Sequence, residues 1–424
     1  MTRTVAIGLL AFALTAGAAH GAPAGGGWSV SASDVALDGG ATTLARDGRA
    51  LAVGSTCDTA GCTGTLATHA PGEAFLPGAE LPGSSAAFTA LRGGAALLVT
   101  TLPRRRGLSA SDVAITGRIV RSTGLTRRVV REAIAASNRD GATAVAWLTN
   151  RLPQRLRVRT RRNDGAAFAP ARTLASFARE GRFGGAAVAV GPRGEIAVVW
   201  ASGGSLHARV QNAGAHRFGP VLRIRRSDRA AMIATAFTAR GSLVAIWSSA
   251  DGGEEQNRTA IVRVAMRRSG TAQFAPSHTL GAGAAREPLA LAHGAAVRAV
   301  AAGSTAMVAW TTASLRTRIA SVTGAGAVTG ARTIDPDGVL GDAEGSASRH
   351  VLVAWTHAPL SADAGARAAI ATPGGRFAGE PIGPRGSWAT GAALDRAGNR
   401  ALVTWGAGDA VLSPRWGFAE RSLP

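Results

Sequence analysis

Short apolar runs ending in tryptophan recur along most of the chain. Trp147, Trp200, Trp247, Trp310, Trp355 and Trp405 each close one, at intervals of 45 to 63 residues. The fullest copy occupies residues 186–225: an apolar run, a Gly-Pro-Arg-Gly turn, a second run ending at Trp200, then alternating segments over 205–211 and 218–224, separated by Gly, Asn and Pro. Apolar runs of five to eight residues bounded by turn formers are strands, and several in succession predict an antiparallel meander. Each unit therefore reads as four strands.

A glycine about six residues before the tryptophan extends the register to degenerate copies. Gly48 leads to Gly54, Gly94 to Thr100, Gly141 to Trp147, Gly194 to Trp200 and Gly241 to Trp247; Ser304, Arg349 and Asn399 take the place before Trp310, Trp355 and Trp405. A second landmark runs in phase, an aromatic entering the fourth strand: Phe75, Phe168, Phe218, Phe274, Phe377 and Phe418. Self-similar units of about 50 residues, each unable to bury its apolar faces alone, mark a repeat architecture. Four-stranded units in this number predict an all-β fold, a β-propeller of eight blades with seven as the alternative count. The units lie near residues 38–81, 86–131, 132–175, 184–225, 230–280, 288–334, 339–383 and 388–424 of one propeller domain covering 22–424. Both Trp28–Ser33 and Phe418–Ser422 resemble a fourth strand, and one of them suffices to close the ring. The repeated tryptophans are expected to pack between blades, whereas Trp28, Trp388 and Trp416 fall outside the pattern and are candidates for exposed contacts.

The first residues change the picture of where this domain works. A positive start at Arg3, an apolar stretch over 5–19 and small residues after it predict a signal peptide over residues 1–21, too short to span a bilayer, and a secreted, extracytoplasmic product. Cys57 and Cys62, the two cysteines of the chain, are expected to clip a hairpin loop as a disulfide.

Charge adds one unusual feature. The formal net charge is +21, and all 47 basic side chains apart from histidine are arginine. They are scattered through every repeat and alternate with apolar residues, as over 156–162 and 221–226, which predicts a solvated strand face rather than specific nucleic-acid recognition. Arg104, Arg105 and Arg106 form the densest local charge, in a group suited to carboxylate or phosphate.

The propeller pattern loosely resembles secreted bacterial propellers of the sialidase-like (Asp-box) and WD40-like groups. Residues 137–141 and 395–398 match the Asp-box in part, with the tryptophan six or seven residues after the glycine rather than two, and no Trp-Asp dipeptide occurs. The sialidase resemblance implies a tyrosine nucleophile, and this chain contains no tyrosine, so a tyrosine-dependent sialidase is excluded.

Other chemistry must come from loops joining second to third strands and blade to blade. Three of these carry the candidate binding residues Arg104, Arg105, Arg106, Glu254, His357 and Asp363. Glu254 with Asp363 is the first carboxylate pair to consider for glycan processing, the alternative to a non-catalytic scaffold that presents a basic face to anionic cell-wall polymer, polysaccharide or protein. Asp335 and Asp337 offer oxygens that calcium accepts, but their spacing matches no EF-hand loop, and no catalytic residue, metal or cofactor is assigned. A monomer is expected.

Overall fold

The structure, a computed structural model, describes residues 27–33, 42–58, 61–81, 85–102, 107–178, 183–226, 230–250, 260–283, 297–312, 314–324, 326–395, 397–407 and 415–423. Residues 1–21, expected to be a signal peptide, lie outside them. Eight four-stranded antiparallel sheets follow one another along the chain, forming an eight-bladed β-propeller with a single short 3₁₀ turn at Arg92–Gly94. Among the described residues no helix is long and apolar enough to cross a membrane.

Blade 1 runs over residues 42–81, blade 2 over 85–126, blade 3 over 130–177, blade 4 over 183–225, blade 5 over 230–283, blade 6 over 297–335 and blade 7 over 338–385. Blade 8 takes its three inner strands from Ser387–Leu394, Arg400–Ala407 and Arg415–Ser422 and its outermost from Ser29–Ser33, paired through Ser33 opposite Trp416. Both candidate closing segments are thus used. Phe418 belongs to a third strand, unlike the other five phenylalanines, because the N-terminal strand supplies the fourth.

The second strand of each blade is the structural axis. In blade 3, Thr143–Thr149 is buried at every position. Trp147 packs on Leu97, Val99 and Leu108 of blade 2, Trp200 on Ala144, Ala146 and Leu148 of blade 3, and Trp310 on Val244 and Ile246 of blade 5. Each tryptophan so locks its blade to the preceding one. Trp355 and Trp405 repeat the arrangement against blades 6 and 7, and Trp247 against blade 4. Where blade 1 has Gly54, the third strand of blade 8 sends in Trp416 and Phe418, which pack with Phe75, Leu44 and Ala52. Trp416 and Trp28 are accordingly buried and Trp388 half-buried, so none of the three is the exposed contact their irregular spacing suggests.

The turns linking first and second strands carry the glycines of the repeat. Where the seventh copy has Arg349 in place of glycine, that residue still adopts φ +72°, the left-handed conformation the turn demands. The register is set by the turn, not by the residue type.

The arginine alternation has two outcomes. Over 221–226 Arg223, Arg225 and Arg226 are exposed, as expected, whereas over 156–162 Arg161 is buried and Arg157 and Arg159 are half-buried. On that third strand of blade 3 both faces are covered by protein, so alternation there separates two interfaces rather than core from water. Arg157 lies opposite Trp147 with its guanidinium 6.0 Å from the ring centre, Arg318 opposite Trp310 at 5.4 Å, and His207 stacks on Trp200 at 5.7 Å. Arg157 lays its stem on the tryptophan and its Nη2 donates to the Ala171 carbonyl at 3.3 Å, while Arg159, opposite Val145, donates from Nη1 to the Gly124 carbonyl of blade 2 at 3.0 Å.

Candidate anion-binding face

The connections between second and third strands and between blades lie on one face of the ring; those between first and second and between third and fourth strands lie on the other. Of the six candidate residues, His357 and Asp363 are described, and both belong to blade 7 on the former face. Arg104, Arg105, Arg106 and Glu254 lie outside the described residues. The side chains of Cys57 and Cys62 are likewise outside the description, although their backbones stand directly opposite each other in a hairpin.

The base of the Arg104–Arg106 loop is described. Leu102 N–H donates to Gly107 O at 3.2 Å, and a Cβ on Gly107 would lie 2.7 Å from Thr126 O and 3.6 Å from Arg127 Cα. Gly107 therefore lies against the link from blade 2 to blade 3. Arg127 and Arg128 on that link are exposed, as are Arg131 at the start of the inner strand of blade 3 (Val130–Ser137) and Arg151 and Arg155 around its next connection. Asn150 N–H donates to Val129 O at 3.1 Å, holding the link against the connection. Burial lowers the pKa of Arg157, and the charges of Arg128 and Arg155 lower it further, a sign of how closely these guanidinium groups crowd. Of the four acids between residues 107 and 178, Asp112, Asp140 and Asp164 lie at or towards the opposite face, and Glu132 alone shares this one. Desolvation raises the pKa of Glu132 against the opposing pull of Arg131.

On blade 7 the chemistry is of another kind. The Asp335 carboxylate is buried and accepts from Trp355 Nε1 at 2.5 Å, from His357 Nδ1 at 2.9 Å and from Asp337 N–H at 2.9 Å. Its oxygens are thus engaged by N–H donors rather than turned outward as a calcium cradle. Among the described residues no group of three or more His, Cys, Asp or Glu is arranged to hold a metal. Asp363 is exposed and sits 3.6 Å from the Arg385 guanidinium. The sequence signal for the Asp335–His357 pair was weak because the partners come from neighbouring blades.

A third polar group lines the axis. Asp342, on the inner strand of blade 7 (Gly338–Gly345), accepts from Arg298 Nε of blade 6 at 2.7 Å and from the Ala392 N–H of blade 8 at 3.1 Å. Glu344, two residues on, is accessible to water yet enclosed by the ring. Desolvation, with the Asp342 charge beside it, pushes its pKa up to about 7 against the pull of Arg139 from the opposite side and of Arg298.

No family model matches the chain, and no curated protein resembles it closely enough in sequence to count as a relative. Solved structures do resemble it. The BP39L lectin from Burkholderia pseudomallei aligns at 14% identity over 81% of this chain and 98% of its own, with a TM-score of 0.57. The polysaccharide lyase Uly1 aligns at 8% identity over 90% of this chain and 89% of its own, TM-score 0.53. One of two prolyl endopeptidases studied together aligns at 11% identity over 88% of this chain and 54% of its own, TM-score 0.50. Likeness at this level defines the class, a β-propeller, and nothing finer.

Proposed function

We propose that this is a secreted, non-catalytic binding scaffold that engages an anionic partner, a cell-wall polymer, polysaccharide or acidic protein surface, through the arginine-dense sector of blades 2 and 3. The observation that carries this reading is the row of exposed guanidinium groups, Arg127, Arg128, Arg131, Arg151 and Arg155, with Glu132 the one acid on that face of residues 107–178; Arg104, Arg105 and Arg106 lie outside the described residues. Some arginines, Arg161 and Arg159 among them, are used up in blade contacts. Here they face water unsatisfied by the fold. Planar guanidinium groups in such a row suit repeated carboxylates or phosphates, and many weak contacts in series give strong, salt-sensitive retention. Residues 1–21 as a signal peptide and a Cys57–Cys62 disulfide belong to the same reading, since both suit an oxidising extracytoplasmic setting.

Retention on immobilised polygalacturonate and on polyphosphate at low and moderate salt tests it. Combined replacement of Arg104, Arg105, Arg106, Arg127 and Arg128 by serine is expected to lower affinity at least tenfold and flatten the salt dependence, while Arg223→Ser on blade 4 leaves both unchanged. Undiminished retention of the combined variant would sink the reading.

A further inference from the structure

Blade 7 departs from the repeat at two places that meet. Two residues after the tryptophan, the other blades carry small side chains, Thr149, Ser202, Ser249, Thr312 and Ala407, whereas blade 7 carries His357. At the end of the outer strand that precedes the blade stands Asp335, and its carboxylate holds His357 Nδ1–H at 2.9 Å. The tryptophans of blades 3, 6 and 8 leave Nε1 without a partner; in blade 7 the same atom donates to Asp335. A carboxylate only accepts, so Nδ1 carries the proton shared with Asp335, and Nε2 of the neutral ring is left as an acceptor. The imidazole keeps 28% of its surface, on the loop face.

The surrounding backbone is shaped for this arrangement. A Cβ on Gly338 would lie 2.9 Å from the Asp335 side chain and 3.0 Å from Trp355 Cδ1, so only glycine lets the aspartate cross over the ring. Leu315 and Ala358 adopt φ of 55° and 45°, unusual for residues with a side chain, and both bond the link between blades 6 and 7: Leu315 O accepts from Gly338 N–H and Ala358 N–H donates to Asp337 O. Such outliers persist where the surroundings over-determine them, and they gather at functional sites.

The register then places a gap. His357 pairs with Gly365 on the third strand (Gly365–Ala371), and Gly365 pairs with Arg385 on the fourth. Directly opposed residues project to the same side of a sheet, so imidazole and guanidinium flank a glycine, with Cα atoms about 9–10 Å apart across two strand spacings. A Cβ on Gly365 meets nothing nearer than Asp363 O at 3.9 Å. Between an oriented hydrogen-bond acceptor and a cationic fork there is an open notch. Arg385 is largely exposed and its pair with Asp363 is loose, at 3.6 Å, so its donors are free to turn to another carboxylate.

We propose that this notch is a second site, separate from the polyanion face, for a small hydroxy acid of the acidic-sugar type. A ligand hydroxyl donates to His357 Nε2, the ligand carboxylate accepts from the Arg385 guanidinium, and Asp335 acts as the positioning residue that fixes tautomer and ring plane. No bond is made or broken. The site does not depend on the arginines of blades 2 and 3, three and four blades away around the ring.

The experiment uses the full chain, with galacturonic acid as probe, galactose as the hydroxyl-only control and acetate as the carboxylate-only control. The His357 ring nitrogens are followed in long-range proton–nitrogen spectra. Galacturonic acid is expected to shift the Nε2 resonance saturably, and each control to bind at least tenfold more weakly. Arg385→Gln should make galacturonic acid and galactose equivalent. Gly365→Val fills the notch from a Cβ position that meets nothing nearer than Asp363 O at 3.9 Å, so the blade is expected to stay folded while binding disappears; Gly365→Ala, which adds that Cβ alone, should weaken binding in the same direction. Asp335→Asn should weaken binding and alter the ring-nitrogen shifts of the free protein, which mere packing would leave alone. The combined arginine variant of blades 2 and 3 should bind galacturonic acid normally, so failure of either site is read separately. A response to acetate equal to that of galacturonic acid, undiminished binding by Gly365→Val, or no saturable shift overturns the proposal.

Discussion

The junction between blades 2 and 3 and the junction between blades 6 and 7 both turn on one aspartate, and they use it in opposite ways. Asp112 meets two arginines, Arg161 Nη1 at 2.6 Å and Arg121 Nη2 at 2.9 Å, and Arg121 goes on to donate to the Gly165 carbonyl of blade 3 at 2.6 Å. Arg161 is fully buried, so the carboxylate exists there to neutralise it. Asp335 meets only N–H donors of low or variable charge and leaves its histidine an unused nitrogen towards water. The first arrangement is electrostatically closed and binds blade to blade. The second has an acceptor to spare. A buried acid alone does not mark a site; what its partner leaves unsatisfied does.

The largest expected effect comes from breaking the closed junction. Asp112→Ala leaves the buried Arg161 charge with only the Asp164 carboxylate, 3.8 Å away, and is expected to cost about 3 kcal/mol in chemical denaturation. The double variant Asp112→Ala with Arg161→Met should recover much of that loss. Should the two substitutions prove additive, the pair is not the unit described.

Asp335→Ala should cost less, about 1–3 kcal/mol, because it strips an acceptor from Trp355 and His357 but strands no fixed charge. A loss as large as that at Asp112 would show that His357 carries its charge in the folded state, and would make the two junctions alike.

The smallest effect concerns the axis. Glu344 titrates near 7 in the folded ring and at about 4.5 when free. The folded state therefore holds its proton more tightly, and this group's contribution to stability is fully present below about pH 4.5 and is lost as pH rises through about 7. Glu344→Gln should remove that decline and stabilise the protein slightly at neutral pH, by an amount damped by the water that reaches the side chain. Thermal unfolding midpoints at pH 5 and pH 7.5 measure it; an unchanged difference between the two would assign the slope to other groups.

How far all this is legible in the sequence follows from what is local. The spacing of turn glycine to tryptophan is local, fixed within one hairpin, and it yields the blade number and the inner packing even where Arg349 replaces the glycine. The place of Arg161 is not local. Its alternation with Leu156 and Val158 is the same whether a strand's second face meets water or another blade, and only the ring decides. Trp416 is buried because blade 1 has Gly54 rather than tryptophan, a compensation between segments at opposite ends of the chain. Asp335 and His357 belong to different blades, and each taken singly is an ordinary polar residue.

The strand Ser29–Ser33 has a consequence in time. It is made first, yet its partner Arg415–Ser422 is made last, so its hydrogen-bonding edge must wait while every intervening blade is synthesised. Loop-closure entropy grows only logarithmically with separation, so the finished ring loses little by so distant a pairing. The delay is kinetic rather than energetic: seven blades can assemble by neighbour contacts alone, and the eighth is the step that turns an open row of sheets into a circle.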